Sequence, residues 1–126
     1  LITQGKQPTI FGNGLQTRDF VHVEDVARAL IMFCSVDWKL DFHPVYNIAT
    51  QTEVSLLTLI QLIDNTLATI RSETHTTKPL HKQARLGDIE RSFASIQRIQ
   101  NDTEWSPEIS FADGLRQQVL DALKTT

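Results

Sequence analysis

The sequence predicts an α/β domain of the α+β-like kind, in which short strands are combined with three to four helices. Apolar residues recur at helical spacing in segments that begin at a serine, as at Ser55 and Ser110. Short apolar or alternating stretches lie beside turn-forming residues, which is typical of strands. There is no internal repeat, and residues 1–126 are expected to form a single region that can bury a modest core.

Composition excludes several classes of function. With 12 basic and 15 acidic residues the net charge is −3, whereas nucleic-acid-binding domains normally carry a basic excess. No apolar run approaches the ~18 residues of a membrane span, and the N-terminus lacks a signal-peptide pattern. The single cysteine, Cys34, cannot form an internal disulfide, and its apolar helical setting predicts an inert core thiol. We therefore expect a cytoplasmic protein without a nucleic-acid or membrane partner.

The first part of the chain is predicted to contain two strands and a helix. Thr9–Phe11 is a short strand that enters a turn at residues 12–14 (GNG), and residues 18–23 (RDFVHV) alternate as a second strand. Glu24 and Asp25 then place acids where a helix dipole favours them, at a helix start. This helix is expected to run to about Ser35 and to bury Val26, Ala29, Leu30 and Phe33.

The middle of the chain is predicted to contain a strand, a helix and a basic loop. After a connection at residues 38–44, residues 45–48 (VYNI) are mostly apolar and predict a short buried strand. Ser55 is the expected N-cap of the second helix, and residues 71–87 are expected to be an irregular, mildly basic loop. The apolar stripe of the second helix is formed by Leu56, Leu59, Ile60, Ile63, Leu67 and Ile70.

Two helices are predicted in the last third. A short helix is expected to start near Ser95 and to end before residues 105–107 (WSP), where the proline cannot continue it. The final helix opens at Ser110, with Asp113 three residues later in an approximate capping box. Its buried face is predicted to contain Phe111, Leu115, Val119 and Leu123.

Two arginines are candidates for binding a diphosphate. A guanidinium keeps its charge and donates two parallel hydrogen bonds, which suits neighbouring phosphate oxygens. Arg18 follows the GNG turn, Arg85 lies in the basic loop, and Asp88 could accept hydrogen bonds from a ribose diol. Surface ion pairs for the arginines and a solvated loop for residues 71–87 are alternatives at this point. No metal-ligand spacing is found around the histidines, which are His22, His43, His75 and His81.

Residues 10–30 (IFGNGLQTRDFVHVEDVARAL) closely resemble a segment of the extended short-chain dehydrogenases/reductases that act on nucleotide sugars. Further landmarks of that family follow in its order. They are residues 45–49 (VYNIA), 54–56 (VSL), 85–88 (RLGD), 105–107 (WSP) and 111–115 (FADGL). The resemblance covers nearly the whole chain. It is greatest to UDP-glucose and UDP-GlcNAc 4-epimerases, and the dehydratases and decarboxylases are similar.

The resemblance implies a nucleotide-sugar ligand, a UDP-hexose, and a role for five residues. Arg18 corresponds to an arginine that contacts the diphosphate or the uridine side of the ligand, and Arg85 to one that contacts the diphosphate. Asp88 corresponds to the residue that contacts the ribose, and Phe11 and Asn13 border the nucleotide. In the full-length family enzyme, NAD accepts and returns a hydride while a tyrosine, helped by a lysine, acts as acid and base.

The residues for that chemistry are not found in this sequence. The GNG turn has Thr17 where a dinucleotide-binding loop has its third glycine, and a strand follows it instead of a helix. The only tyrosine, Tyr46, has Thr50 four residues on, so the Tyr-x-x-x-Lys pair is lacking. We therefore expect a C-terminal substrate-binding region with the N-terminal Rossmann half missing and no catalytic or cofactor-binding residue. Leu86 replaces the family's proline, which is expected to loosen the loop that carries Arg85.

Two functions follow as hypotheses. The first is the nucleotide-sugar-binding part of an NAD-dependent sugar 4-epimerase, which is not catalytic alone. The second is a stand-alone, non-enzymatic binding or oligomerisation module derived from the same family. In that family, residues 45–48 and the helix after Asp25 pack on the N-terminal domain. The apolar faces left open predict a homo-oligomer, or binding to the missing half.

Overall fold

A computed structural model describes residues 1–35 and 45–125 and confirms the predicted α/β class. The connection predicted at residues 38–44, with Trp38 and His43, lies outside the described residues. In chain order the elements are a 3-10 turn (Ile2–Gln4), β1 (Thr9–Phe11), β2 (Thr17–Asp19), α1 (Val23–Ser35), β3 (Glu53–Ser55), α2 (Leu56–Arg71), β4 (Leu80–Lys82), α3 (Gln97–Asp102) and α4 (Phe111–Lys124).

Strands β1 and β4 pair in parallel, with Thr9 opposite Leu80, and bring two distant parts of the chain together. The prediction that residues 71–87 are irregular throughout is therefore wrong at β4. All three residues of β4 are exposed and give no alternating pattern. The segment becomes a strand only because β1 offers it backbone hydrogen bonds, which a local pattern does not reveal.

Strands β2 and β3 form a second, antiparallel pair. The strand predicted at residues 18–23 is confirmed only in part, because β2 ends at Asp19. The Asp19 carboxylate accepts hydrogen bonds from the backbone N–H groups of Thr50 and Gln51 at 2.8 and 3.0 Å. These bonds tie the turn before β3 to the end of β2. Strand β3 has no local sequence signal, since its residues Glu53–Ser55 form no alternating apolar run and Ser55 predicts only a helix cap.

Residues 45–48 form neither helix nor strand, so the prediction of a buried strand is wrong. Their side chains do alternate between exposed and half-buried, as a strand's would. None of the described strands pairs with them. Asn47 instead makes a polar contact with the segment before α3, where its Nδ2 donates to the carbonyl of Ser95 at 3.1 Å. A strand requires a neighbour to complete its hydrogen bonds, and the described part of the chain provides none here.

Helix α1 has two apolar faces and buries one of them. Ala29 is fully buried and packs with Ile96, Ile99 and Trp105 in one of the core clusters. The predictions that Leu30 and Cys34 are buried are wrong, since Leu30 is 60% exposed and Cys34 is also exposed. Helical spacing places apolar residues on both sides, and only one side packs on this chain. The exposed side, called the outer face of α1, consists of Val23, Ala27, Leu30, Ile31 and Cys34.

Helices α2 and α4 pack on each other around Leu67 and Val119, in another core cluster. Both predicted caps are confirmed. Ser55 Oγ accepts from the N–H of Thr58 at 3.1 Å, and Ser110 Oγ accepts from the N–H of Asp113 at 3.1 Å. Partly buried Ile60, Ile63, Ile70 and Leu123 complete the cluster. Within residues 1–35 and 45–125, no helix has the length and apolar character needed to cross a bilayer.

Candidate functional site

A pocket of about 470 Å³ lies between the GNG turn and the loop that follows β4. Four of the five residues predicted for a ligand site, Phe11, Asn13, Arg85 and Asp88, line it. The fifth, Arg18, contacts the wall of the pocket through Asp88. The other lining residues are Gly12, Leu15, Gln16, Ala84, Ile89, Glu90 and Arg91.

The GNG turn forms one wall and is held in shape by hydrogen bonds. Asn13 Oδ1 accepts from the N–H of Leu15 at 2.9 Å, which is an Asx-type turn bond. Gln16 Nε2 donates to the carbonyl of Phe11 at 2.8 Å. Gly12 adopts φ +87 and approaches Ala84, whose Cβ would lie 3.6 Å from a Cβ at this position. That distance is an ordinary van der Waals contact, so it is the left-handed backbone that favours glycine at this position.

Arg85 stacks on Phe11 across the pocket. Its guanidinium carbon lies 3.7 Å from the centroid of the ring, within the range of a cation–π contact. Arg85 is exposed and forms no ion pair with any residue in the described ranges. The stacked ring leaves the edges of the guanidinium, where its N–H donors lie, available to an anion.

Asp88 and Arg18 form an ion pair at the base of the loop. Arg18 Nη2 donates to Asp88 Oδ1 at 2.9 Å, and Arg18 Nη1 donates to the carbonyls of Thr17 and Ile89 at 2.7 and 2.6 Å. The two side chains remain 31% and 37% exposed. Gly87, with φ +80, makes the tight turn that places Asp88 N–H 3.2 Å from the carbonyl of Arg85. Asp88 is thus fixed relative to Arg85 and to β2.

A second ion pair joins the far end of the loop to β3, and the sequence did not predict it. Arg91 donates from Nε to Glu53 Oε1 at 3.0 Å and from Nη2 to Glu53 Oε2 at 2.5 Å. Thr17 Oγ1 adds a bond to Glu53 Oε1 at 2.7 Å. The hydrogen bonds from Arg91 and Thr17 lower the pKa of Glu53 to about 2. Arg91 could have been noticed as a second arginine of the loop, whereas Glu53 reaches it only because β3 pairs with β2.

The charges around the pocket distinguish Arg85 from the other arginines. Arg18 is paired with Asp88 and Arg91 with Glu53, so each already faces a carboxylate. Arg85 faces an aromatic ring instead. Among the described residues, the lining includes no tyrosine, histidine, lysine or cysteine, and there is no group of three potential metal ligands. The arrangement suits binding of an anion that also carries hydroxyl groups.

Comparisons with known proteins identify similar sequences and structures. The GDP-mannose 4,6 dehydratase family matches residues 1–118. A UDP-glucose 4-epimerase of Mycolicibacterium smegmatis is 29% identical over 115 residues, which are 91% of this chain and 34% of the relative. The structure of a UDP-N-acetylglucosamine 4-epimerase from Methanobrevibacter ruminantium, in complex with UDP-N-acetylmuramic acid, matches with a TM-score of 0.84 at 26% identity, over 99% of this chain and 37% of that one.

A UDP-glucose 4-epimerase from Thermotoga maritima, solved with UDP-glucose, matches with a TM-score of 0.81 at 28% identity. The match covers 98% of this chain and 37% of that structure. The chain therefore spans little more than a third of the length of these relatives.

Proposed function

This chain belongs to the GDP-mannose 4,6 dehydratase family, among the extended short-chain dehydrogenases/reductases that act on nucleotide sugars, and we propose that it is the nucleotide-sugar-binding part of an NAD-dependent sugar 4-epimerase. The observation that carries the proposal is the guanidinium of Arg85, which forms no ion pair within residues 1–35 and 45–125 and stacks on Phe11 in a pocket that also presents Asp88. UDP-sugar 4-epimerases are among the structures most similar to the chain. In this proposal the ligand is a UDP-hexose.

In the proposed complex Arg85 binds the diphosphate. A guanidinium donates two charge-assisted hydrogen bonds in a plane that fits phosphate oxygens. Arg18 contributes a second positive charge on the diphosphate or uridine side of the ligand while it holds Asp88. Phe11 and Asn13 border the nucleotide. The pocket volume of about 470 Å³ is of the size that small-molecule sites have in proteins.

Asp88 accepts hydrogen bonds from the ribose hydroxyls in this proposal. Its Oδ1 atom is bonded to Arg18, and the side chain remains 37% exposed at the pocket. A carboxylate fixed in this way can accept from a 2′-hydroxyl without having to be ordered first. It therefore provides a reason for the site to prefer a ribonucleotide to its 2′-deoxy form.

The GNG turn does not fit the diphosphate of NAD. A dinucleotide loop leads from a strand into a helix, whose N-terminus binds the pyrophosphate. Here the GNG turn leads from β1 into β2 and supplies no such helix. We therefore propose that NAD and the acid–base residues of the epimerase lie outside this chain, which would then bind substrate and not transform it.

UDP titrated into this chain is expected to bind about tenfold more tightly than 2′-deoxy-UDP, because the deoxy ligand leaves the Asp88 carboxylate without a donor. Isothermal titration calorimetry measures both affinities. Asp88→Asn is expected to bring the ratio of the two close to one, since an amide accepts less strongly than a carboxylate.

Glu90→Gln is the matched control, because Glu90 is another acid of the same loop that lines the pocket. The control should keep the preference of the parent chain for UDP. An absence of heat with UDP at millimolar concentration would overturn the binding proposal as a whole. A ratio that Asp88→Asn does not change would overturn only the assignment of the ribose to Asp88.

The outer face of α1 supports self-association of the chain, which is expected under both hypotheses. Leu30 and Ile31 on this face are 60% and 67% exposed, and Val45 is 78% exposed. An apolar helix face of this kind is uncommon on a monomer unless a partner covers it. We propose that a second copy of the chain covers it when no other partner is present.

The parent chain is expected to self-associate, so that its mean mass in light scattering rises with concentration. Leu30→Lys combined with Ile31→Lys is expected to abolish the rise, because two charges would then have to be buried. Leu86→Lys is the matched control, since Leu86 is fully exposed but lies outside α1. A parent chain that stays monomeric at high concentration would contradict the proposal.

A further inference from the structure

The loop that carries Arg85 and Asp88 has little packing to hold it. Every residue from 81 to 91 is exposed. Even the apolar side chain of Leu86, at the tip of the loop, is fully exposed to solvent. Burial of apolar surface therefore does not fix the position of the two proposed ligand contacts, and directional polar contacts have to do so.

Backbone hydrogen bonds to Thr17 form the first set of such contacts. The N–H of Thr17 donates to the carbonyl of Glu90 at 2.8 Å, and the N–H of Ser92 donates to the carbonyl of Thr17 at 3.1 Å. They form a parallel bridge between Thr17 and Arg91. The bridge fixes one point of the loop, and Arg18 holds two earlier residues of the loop through the Asp88 carboxylate and the carbonyl of Ile89.

The ion pair between Arg91 and Glu53 is the second set, and it acts at the same point. The guanidinium meets both carboxylate oxygens, at 3.0 and 2.5 Å, in the two-pronged geometry that restricts orientation as well as distance. Glu53 is a rigid partner because it lies on β3, directly before α2, and its side chain is only 22% exposed. Thr17 Oγ1 holds the same carboxylate. The β2–β3 pair thus holds the side chain of Arg91 and the backbone of its two chain neighbours, Glu90 and Ser92.

We propose that Glu53 and Arg91 are positioning residues that hold the Arg85–Asp88 loop in its binding shape and thereby set the affinity for the nucleotide. The inference rests on the proposed function of the pocket. In this role the two residues act through each other, since both carboxylate oxygens of Glu53 and two of the donors of Arg91 are engaged in the pair. The ion pair lowers the cost of ordering the loop when the ligand binds.

Arg91 also lines the pocket and is 75% exposed, so direct contact with the ligand is the competing role. The two roles differ in what removal of Glu53 does. If Arg91 positions the loop through Glu53, then Glu53→Gln and Arg91→Met have similar effects, and the double variant is no worse than either. If Arg91 binds the ligand directly, then Arg91→Met weakens binding in both backgrounds, and Glu53→Gln alone does not.

The experiment measures UDP affinity by calorimetry for the parent chain, Glu53→Gln, Arg91→Met and the double variant. Each is expected to bind UDP roughly twofold to fivefold more weakly than the parent, with non-additive effects, as for other exposed ion pairs. Arg91→Lys is expected to give only part of the parent affinity, because it keeps the charge and loses the two-pronged bond. Asp121→Asn removes the exposed ion pair with Lys124 on α4 and is the matched control, expected to bind as the parent does.

Amide hydrogen exchange without ligand tests the same inference independently of the proposed function. In Glu53→Gln, the amides of Asp88 and Ser92 are expected to exchange faster, while those of α2 and α4 are unchanged. Additive affinity losses, or parent-like binding by Glu53→Gln beside a weak Arg91→Met, would overturn the positioning role. Unchanged exchange in the loop would overturn it as well. A parent chain that binds no UDP but shows the exchange effect would instead overturn the proposed function and leave the positioning of the loop in place.

Discussion

Arg85→Met is expected to weaken UDP binding by about 10- to 100-fold, the largest functional effect among single substitutions in the pocket. Arg85 is the arginine of the pocket that no carboxylate of the described residues balances, so a diphosphate gains most from it. Methionine keeps an unbranched side chain that can still pack on Phe11. Calorimetry with UDP measures the loss, and thermal unfolding without ligand shows whether the fold is kept.

Two further variants show whether a loss of affinity in Arg85→Met comes from the guanidinium at this position. Arg85→Lys is expected to bind with intermediate affinity, because it keeps the charge and loses the planar donor geometry. Arg116→Met is the matched control, since Arg116 is an exposed arginine on α4 that does not line the pocket. Parent-like affinity in Arg85→Met would show that the diphosphate does not lie at this guanidinium.

Asp25→Asn is expected to lower the free energy of unfolding by about 2 to 4 kcal/mol, the largest effect on stability. Asp25 is fully buried, and its carboxylate accepts from Arg28 and from the backbone N–H groups of Glu108 and Ile109, at 3.0 and 3.2 Å. An asparagine here would replace one carboxylate oxygen with an NH2 group. That group cannot accept a hydrogen bond, so one or more of these N–H donors would lose its acceptor. Urea unfolding of the parent and the variant measures the difference.

The pH dependence provides a check on the role of Asp25. Burial acts to raise its pKa, but the hydrogen bonds from Arg28, Glu108 and Ile109 outweigh burial, and the pKa of Asp25 lies below its ordinary value of 3.8. A carboxylate with a lowered pKa stabilises the fold above its unfolded pKa, and this contribution is lost as pH falls through the folded pKa. The difference in free energy of unfolding between the parent and Asp25→Asn should therefore become smaller below about pH 4. Asp121→Asn, an exposed change on α4, should leave stability near that of the parent. A difference that is absent at pH 7 would contradict the structural role of Asp25.

The sequence was most informative where structure depends on neighbours along the chain. The caps at Ser55 and Ser110 and the extents of α1, α2 and α4 follow from residues a few positions apart. Strand assignments failed where pairing decides the outcome. Strand β4 exists because β1 lies beside it, and residues 45–48 are not a strand because no described strand lies beside them.

In the candidate site, too, the local motifs could be predicted from the sequence and the contacts between distant residues could not. The GNG turn and the 85–88 motif are local patterns, and the structure places Phe11, Asn13, Arg85 and Asp88 around one pocket. Their contacts with a ligand stay predictions. The partners of the arginines could not be predicted, because Arg18 meets Asp88 from 70 positions away and Arg91 meets Glu53 from 38. Only the pairing of β2 with β3 and the bridge at Thr17 bring these charges together.

The parallel pairing of β1 with β4 has a consequence for how the pocket comes into existence. Its two walls belong to segments that are distant in the sequence. The ring nitrogen Nδ1 of His81 and the carbonyl oxygen of Gly12 form a hydrogen bond between these segments across a sequence separation of 69. No short peptide excised from the chain can reproduce the pocket, because closing so long a loop costs entropy that only the intervening α2 and its packing recover. A small molecule that contacts both walls can therefore bind only when the two segments have come together in the folded chain. Its occupancy is coupled by mass action to the folding of the entire chain.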